Sequence, residues 1–461
     1  MAKPTIQFLG AAKTVTGSKF LLRTDDARVL FECGMFQGHK ELRKRNWDKM
    51  PFDPSTIDAV VLTHAHIDHS GYIPRLVKMG FKGTIYCTPA TAELLGLLLP
   101  DSGHLHEEEA RYANKRGYSK HNPALPLYTR QEALESLAQI RTIAYGETRE
   151  VAKGVDVVLH PSGHILGAAF TEVRFAGKKL VISGDIGSYE REVMAEPSPI
   201  PADADYIMVE STYGGRSEET SPVQQQLRDY IGPVLDQKGV VVIPSFAIGR
   251  TTLVLYHLRR LQETNQIADV PVYVDSPMAT DAVKIYCRYG DEHNLKVSLL
   301  KSSKDCLIRA KQTFLVKKVE DSKVLNAKDG PMIIISASGM ATGGRILHHL
   351  KNRLPNRLDM VLLVGYQAEG TRGRLLLDGA KKIKMLGETI PVNAKVASIR
   401  GLSAHGDGDD VVRWLKTAKS KPQQVFLVHG EEEGLRAMGE RVGKELKMKY
   451  SVPSYLQKVT L

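Results

Sequence analysis

Short apolar runs broken by turn residues dominate the first two hundred positions. Segments 5–9, 19–23 and 28–32 have the length of extended strands, and Ala59-Val60-Val61-Leu62 reads as a continuous buried one. Segments 93–99 and 130–140 carry good helix formers, the first ending at Pro100. Strand character returns at 155–160, 169–175, 179–183 and 206–209. Strands that come mostly first, with helices packed over them, predict an α/β sandwich rather than a strictly alternating pattern.

The rhythm changes near residue 210. Continuous apolar runs at 240–243, 271–274, 332–335 and 360–364 are separated by helical stretches such as 251–261. That alternation predicts a parallel sheet covered on both faces, in a second domain. From about 394 short strands return, at 395–399 and 425–428, with 409–416 helical between them. Segment 300–330 is Lys-rich and weakly patterned, and no repeat of fixed period is visible.

Composition adds bounds. The 461 residues are 42% apolar and 25% charged, which is ordinary for a globular protein and enough for two or three domains. A small disulfide-stapled scaffold is excluded. No apolar run approaches the roughly 20 residues that span a bilayer, so no membrane partner is expected. The N-terminus enters a strand directly, without the pattern of a signal peptide. Cys33, Cys87, Cys287 and Cys306 are far apart with no C-x-x-C spacing, which favours a reduced, cytoplasmic compartment. The 63 basic residues exceed the 52 acidic ones by 11, and such an excess favours polyanions, nucleic acid before anionic membrane.

The chemistry concentrates in Thr63-His64-Ala65-His66-Ile67-Asp68-His69-Ser70-Gly71, just after the strand at 59–62. Three imidazoles and a carboxylate in one loop lie on no periodic apolar face, and both are ligand types that zinc takes. His64 and His66 can grip one ion, while Asp68 and His69 can face another. Two weaker signals follow: His164 in Pro161-Ser162-Gly163-His164, and Asp185 in Ser183-Gly184-Asp185-Ile186-Gly187. Each stands after an expected strand.

His64-x-His66-x-Asp68-His69 resembles the signature of the metallo-β-lactamase superfamily, whose fold is an αβ/βα sandwich. His164 matches its later histidine and Asp185 its bridging aspartate. Val209-Glu210-Ser211-Thr212-Tyr213-Gly214, Ser403-Ala404-His405-Gly406-Asp407 and Val428-His429-Gly430-Glu431 resemble the extra motifs of the β-CASP branch, whose members are nucleases. The resemblance implies a lactamase domain over 1–208 and 394–461, interrupted by an inserted β-CASP domain over 209–393. It is strongest to compact bacterial and archaeal ribonucleases of the polyadenylation-factor kind, because the chain ends soon after His429. One departure is Glu32, in Phe31-Glu32-Cys33-Gly34, where the family usually has an aspartate that orients ligands.

The resemblance implies two zinc ions per chain. His64, His66, His164 and Asp185 would hold one, and Asp68, His69, His429 and the shared Asp185 the other. Such a pair can activate water and neutralise a phosphoryl group. His405 would be the proton donor to the leaving oxygen, oriented and charged by Glu210, with Asp68 also counted in the catalytic set. The implied activity is endonucleolytic hydrolysis of single-stranded RNA, with some relatives also trimming from the 5′ end, leaving 5′-phosphate and 3′-hydroxyl ends. A flexible strand enters a cleft between two domains more easily than a stiff duplex.

Substrate contacts are expected in the inserted domain. Arg250 follows a strand and opens a helix, where amides favour phosphate. Ser338, Gly339, Gly343 and Arg345 lie in a glycine-rich stretch, and Tyr366 and Arg372 in another that could stack or clamp a strand. His104 and His106 are expected outside the ligand set, His348 and His349 on a helix surface or interface, and His160 in a structural role. Alternatives are a DNA nuclease, a thioester or lactam hydrolase, and an inactive partner of a processing complex. A homodimer is one assembly the reading leaves open.

Overall fold

The computed structural model describes residues 3–117, 122–189, 192–215, 222–294, 312–365, 367, 370–399 and 401–461. Tyr366 and part of the Lys-rich 300–330 segment lie outside them. The chain divides into two compact units, Met1–Ser217 with His405–Leu461, and Glu218–Ala404. Both boundaries fall later than expected. Strand Tyr206–Glu210 pairs in parallel with Gln424–Val428, which keeps Val209 and Glu210 in the first unit. Lys395–Ser398, expected to open the return to the first domain, instead pairs in parallel with Met360–Leu363.

The first unit holds two seven-stranded sheets. One runs Lys458–Thr460, Thr5–Phe8, Phe20–Arg23, Arg28–Phe31, Ala59–Val61, Thr84–Cys87, Ile140–Thr142. The other runs Tyr450–Ser451, Gln424–Val428, Tyr206–Glu210, Lys178–Ile182, Ala169–Phe175, Val155–Pro161, Thr148–Ala152. Leu180 and Ile182 join Phe8, Phe31 and Val61 in the core between the sheets. Val181, between them in sequence, joins Trp414 and Leu435 in a core on the opposite face, under helices Gly408–Leu415 and Glu432–Lys444. This period-2 division gives a sandwich with helices outside. Each such side chain contributes roughly 1.5–3 kcal/mol by burial, so a one-residue slip that reversed the faces is excluded. On Tyr206–Glu210 the same parity puts Tyr206 and Met208 between the sheets. Glu210 falls on that face at the strand's end.

One helix exceeds its expected length. It runs Pro89–Arg116, straight through Pro100, and ends at Gly117 with φ +64°. The Thr88 hydroxyl caps its start by accepting the Thr91 N–H at 3.2 Å. An internal proline costs about 3 kcal/mol. Burial of Leu94, Leu95 and Leu99, all fully inaccessible, outweighs that cost.

The second unit is a six-stranded parallel sheet in the order Thr313–Val316, Val272–Asp275, Met332–Ser336, Val240–Pro244, Met360–Leu363, Lys395–Ser398. Val240 through Ile243 are all buried, as a sheet covered on both faces requires. Cys33 and Cys87 are buried free thiols. Among the described residues no helix is long and apolar enough to cross a membrane.

Candidate metal centre

Every residue expected around the metals belongs to the first unit, and most stand just beyond strand ends. Strand Ala59–Val61 leads into His64 and His66, and the short helix Ile67–Ser70 carries Asp68 and His69. The Ser70 hydroxyl donates to the Ala65 carbonyl at 2.8 Å and braces this loop. Asp185 follows strand Lys178–Ile182, and the preceding Gly184 has φ +55°, with any Cβ falling 2.6 Å from the Thr63 Cβ. Only glycine lets these two loops close on each other. Glu210 ends one strand and His429 follows another, with a left-handed φ of +48°. Strain of that kind persists where surrounding bonds over-determine it, here the His429 N–H donating to the Ala11 carbonyl at 2.7 Å.

Two groups of ligand atoms form. His64 Nε2 and His66 Nδ1 are 3.1 Å apart, His66 Nδ1 and His164 Nε2 3.2 Å, and Asp185 Oδ2 lies 3.3 Å from both His64 and His164 Nε2. In the second group His69 Nε2 is 3.1 Å from His429 Nε2, and Asp68 Oδ2 is 3.4 Å from His429 Nε2. Asp185 Oδ1 reaches this group at 3.3 Å from His69 Nε2. One carboxylate thus presents one oxygen to each group.

These spacings can be tested against an ion. Ligands at 2.0–2.1 Å around a tetrahedral zinc stand about 3.3 Å from one another, which is the spacing of the first group. Asp185 is 1% exposed, yet neither of its oxygens accepts a hydrogen bond. An isolated buried carboxylate costs several kcal/mol, a cost that bound cations remove. Burial, then neighbouring imidazoles, holds His64, His66 and His164 below the usual histidine range, His66 down to about 3. Their lone pairs are therefore available at neutral pH. The donor set fits two divalent ions.

Glu32 lies behind the second group. Its Oε2 is 3.1 Å from His69 Nδ1, while Oε1 accepts the Thr63 N–H at 2.8 Å. The longer side chain reaches both loops from a left-handed backbone, φ +62°. His405 enters beside the first group, where Gly406 N–H donates to the Ile186 carbonyl at 2.7 Å. His405 Nδ1 lies 3.0 and 3.2 Å from the two Glu210 oxygens and 3.8 Å from Asp185 Oδ2. Burial disfavours its charge, but Glu210 and then Asp185 outweigh that and push it up to about 10. Two further neighbours, Thr212 and Tyr213, follow Glu210 in the same motif and carry no metal-ligand signature in the sequence. The Thr212 hydroxyl bonds Glu210, and the Tyr213 ring stands edge-on to His405 at 5.8 Å.

The residues expected to bind substrate belong to the second unit. Arg250 opens helix Arg250–Glu263 and donates to the Val364 carbonyl. Arg345 is held by Asp275 at 2.7 Å and the Lys317 carbonyl at 2.6 Å, and Arg372 by the Lys384 and Thr342 carbonyls, each at 3.1 Å. All three guanidinium groups brace their own unit. The Ser338 hydroxyl accepts the Thr342 N–H at 3.0 Å, a Cβ on Gly339 would fall 2.8 Å from the Phe246 ring, and Gly343 has open space around it. His349 is not on a surface: it is fully buried, 2.6 Å from Asp275 Oδ2, whereas His348 is exposed. His160 pairs with Glu172 at 3.1 Å and stacks on Phe170. His104 is exposed and His106 stands edge-on to Tyr128, both apart from the ligand groups.

Three family profiles match the chain in succession: "Metallo-beta-lactamase superfamily" over residues 15–215, "Beta-Casp domain" over 251–376, and "Zn-dependent metallo-hydrolase RNA specificity domain" over 389–453. Among curated proteins, Ribonuclease TTHA0252 of Thermus thermophilus is 36% identical over 94% of each chain. An RNase J-like protein of Methanocaldococcus jannaschii is 31% identical over 97% of each. The transcription termination factor FttA of the same organism is 30% identical over 98% of this chain and 71% of its own length. A crystal structure of an Enterococcus faecalis protein of unknown function shares the fold, with a TM-score of 0.56 at 13% identity over the full length of both chains. Ligand geometry and lineage agree: the chain belongs to the β-CASP branch of the metallo-β-lactamase superfamily and is a metal-dependent hydrolase of its nuclease kind.

Proposed function

We propose that this chain is a ribonuclease that holds two zinc ions and cuts single-stranded RNA, mainly internally, leaving 5′-phosphate and 3′-hydroxyl ends. The observation that carries the reading is His405, a charged imidazole clamped on Glu210, 3.8 Å from the carboxylate shared by both ligand groups. A proton donor beside a two-cation cradle suits a substrate that repels nucleophiles and whose leaving alkoxide needs a proton. Two relatives carry ribonuclease names, and the RNA specificity profile spans both His405 and His429. The net charge of +11 favours a polyanionic substrate.

His64, His66, His164 and Asp185 would hold one ion, and Asp68, His69, His429 and Asp185 the other. When bound, the ions supply a water of lowered pKa and neutralise charge on the phosphoryl oxygens. The chain's own residues do the rest. Glu32 accepts from His69 Nδ1 and so turns His69 Nε2 toward the ligand group. Glu210 receives His405 Nδ1–H and keeps the ring protonated, so Nε2 is the atom that delivers a proton to the departing 3′-oxygen. The Ile186 N–H, donating to Glu210 Oε1 at 2.6 Å, fixes that carboxylate in place.

The test is a time course on 5′-labelled and 3′-labelled single-stranded RNA, with matched DNA, EDTA and zinc controls. Internal cuts on RNA, stopped by chelation and restored by zinc, are expected. His405→Ala should lose roughly 10²–10⁴-fold in rate with zinc content unchanged. Loss of zinc in that variant would make His405 a ligand, and preferential cutting of the DNA would overturn the substrate.

A further inference from the structure

The Thr212 hydroxyl occupies a position that no ligand or proton-donor role explains. Its Oγ1 is 2.5 Å from Glu210 Oε2, 3.0 Å from His429 Nδ1 and 3.2 Å from the His429 carbonyl oxygen. A hydroxyl has one hydrogen to give. At 2.5 Å from a carboxylate oxygen, in the range of charge-assisted O–H···O⁻ bonds, that hydrogen goes to Glu210. Toward His429 the oxygen can then only accept, so the ring must carry its hydrogen on Nδ1. The ring's ligand lone pair is then left on Nε2, the atom that faces His69 Nε2 at 3.1 Å and Asp68 Oδ2 at 3.4 Å.

We propose that Thr212 is a positioning residue that locks His429 in its ligand tautomer and joins the second ligand group to the His405–Glu210 pair. One hydrogen-bonded chain runs His429 Nδ1–H to Thr212, Thr212 O–H to Glu210, and His405 Nδ1–H to Glu210. Each link donates toward the carboxylate, so Glu210 sets the orientation of a metal ligand on one side and of a proton donor on the other. Loss of the hydroxyl removes the acceptor at 3.0 Å from Nδ1 and leaves the Asp68 carboxylate, 3.4 Å from Nε2, to draw the hydrogen to the other ring nitrogen. Groups that orient a ligand in this way change metal affinity by about 10–100-fold.

The inference rests on the two-ion reading above, and the experiment separates them. Thr212→Val keeps the side-chain shape, and Thr212→Ser keeps the hydroxyl. Histidine ¹⁵N spectra of the metal-free protein should show His429 protonated on Nδ1 in the wild type and in Thr212→Ser, and a mixture of tautomers in Thr212→Val. Zinc titration should show Thr212→Val weakened about 10–100-fold at one site and unchanged at the other, with Thr212→Ser restoring both. An unchanged His429 spectrum and two wild-type zinc affinities in Thr212→Val would overturn the inference alone. A wild-type chain that binds no zinc would overturn the reading beneath it. If Thr212→Val fails to fold, Thr212→Ser decides through the same spectra: loss of Nδ1 protonation with the hydroxyl intact overturns the proposal.

Discussion

Glu210 is 1% exposed and surrounded by donors, and its charge decides the behaviour of His405. A protonated imidazole is competent as an acid only below its pKa, so activity falls as pH rises through that value. Burial alone would lower it, and Glu210 with Asp185 raises it to about 10 instead. Glu210→Gln retains an acceptor for the Ile186 N–H but removes the charge. The alkaline limb of the kcat profile should therefore move to lower pH, by roughly 1–3 pH units. A limb that stays in place, in a variant that keeps its zinc, would mean that another group donates the proton.

At the scale of elements, the buried Asp275 shows what strand pairing can assemble away from the ligand groups. It ends strand Val272–Asp275 and accepts from His349 at 2.6 Å, Ser322 at 2.5 Å and Arg345 at 2.7 Å. Despite burial, these donors hold its carboxyl below the usual carboxylate range. A group whose folded pKa is depressed stabilises above its unfolded pKa, and that stability is lost as pH falls through the folded value. Asp275→Asn should cost about 3–5 kcal/mol near neutral pH in urea unfolding, and the gap to wild type should narrow in acid. An equal gap at both pH values would show that shape, not charge, holds the cluster.

The same cluster shows why part of the molecule was legible in the sequence and part was not. His64, His66, Asp68 and His69 sit within six residues, so their chemistry shows without a fold. His164, Asp185 and His429 stand after strands, and their order along the chain links them. His349 offers no such sign: its partner Asp275 is 74 residues away, and helix periodicity alone leaves its buried bond invisible. Arg345 is tied to the same aspartate across 70 residues, a bond that its glycine-rich stretch does not announce. Segment 395–399 reads as a strand in either domain, since an apolar run does not encode which edge it will join. Pro100 marks the limit of a local rule, because buried leucines on the same helix overrule the break it predicts.

For the whole molecule, the division into units makes metal dependence local. All the proposed zinc ligands lie in Met1–Ser217 and His405–Leu461, and none in Glu218–Ala404. Ligand that binds only the folded form stabilises by mass action, about 4 kcal/mol at a thousandfold excess over Kd, and acts on the unit that binds it. Removing bound metal would also leave Asp185 as a buried charge without a hydrogen bond, so the first unit loses the most where its loops converge. Hydrogen–deuterium exchange after EDTA treatment should therefore quicken in 62–71, 183–187 and 429–431, and next in the parallel strands Lys178–Ile182, Tyr206–Glu210 and Gln424–Val428. Strands Val240–Pro244 and Met332–Ser336 of the second unit should keep their protection, and added zinc should restore the rest. Equal loss of protection in both units would show that they unfold as one, and no change in either would remove the metals from the account of stability.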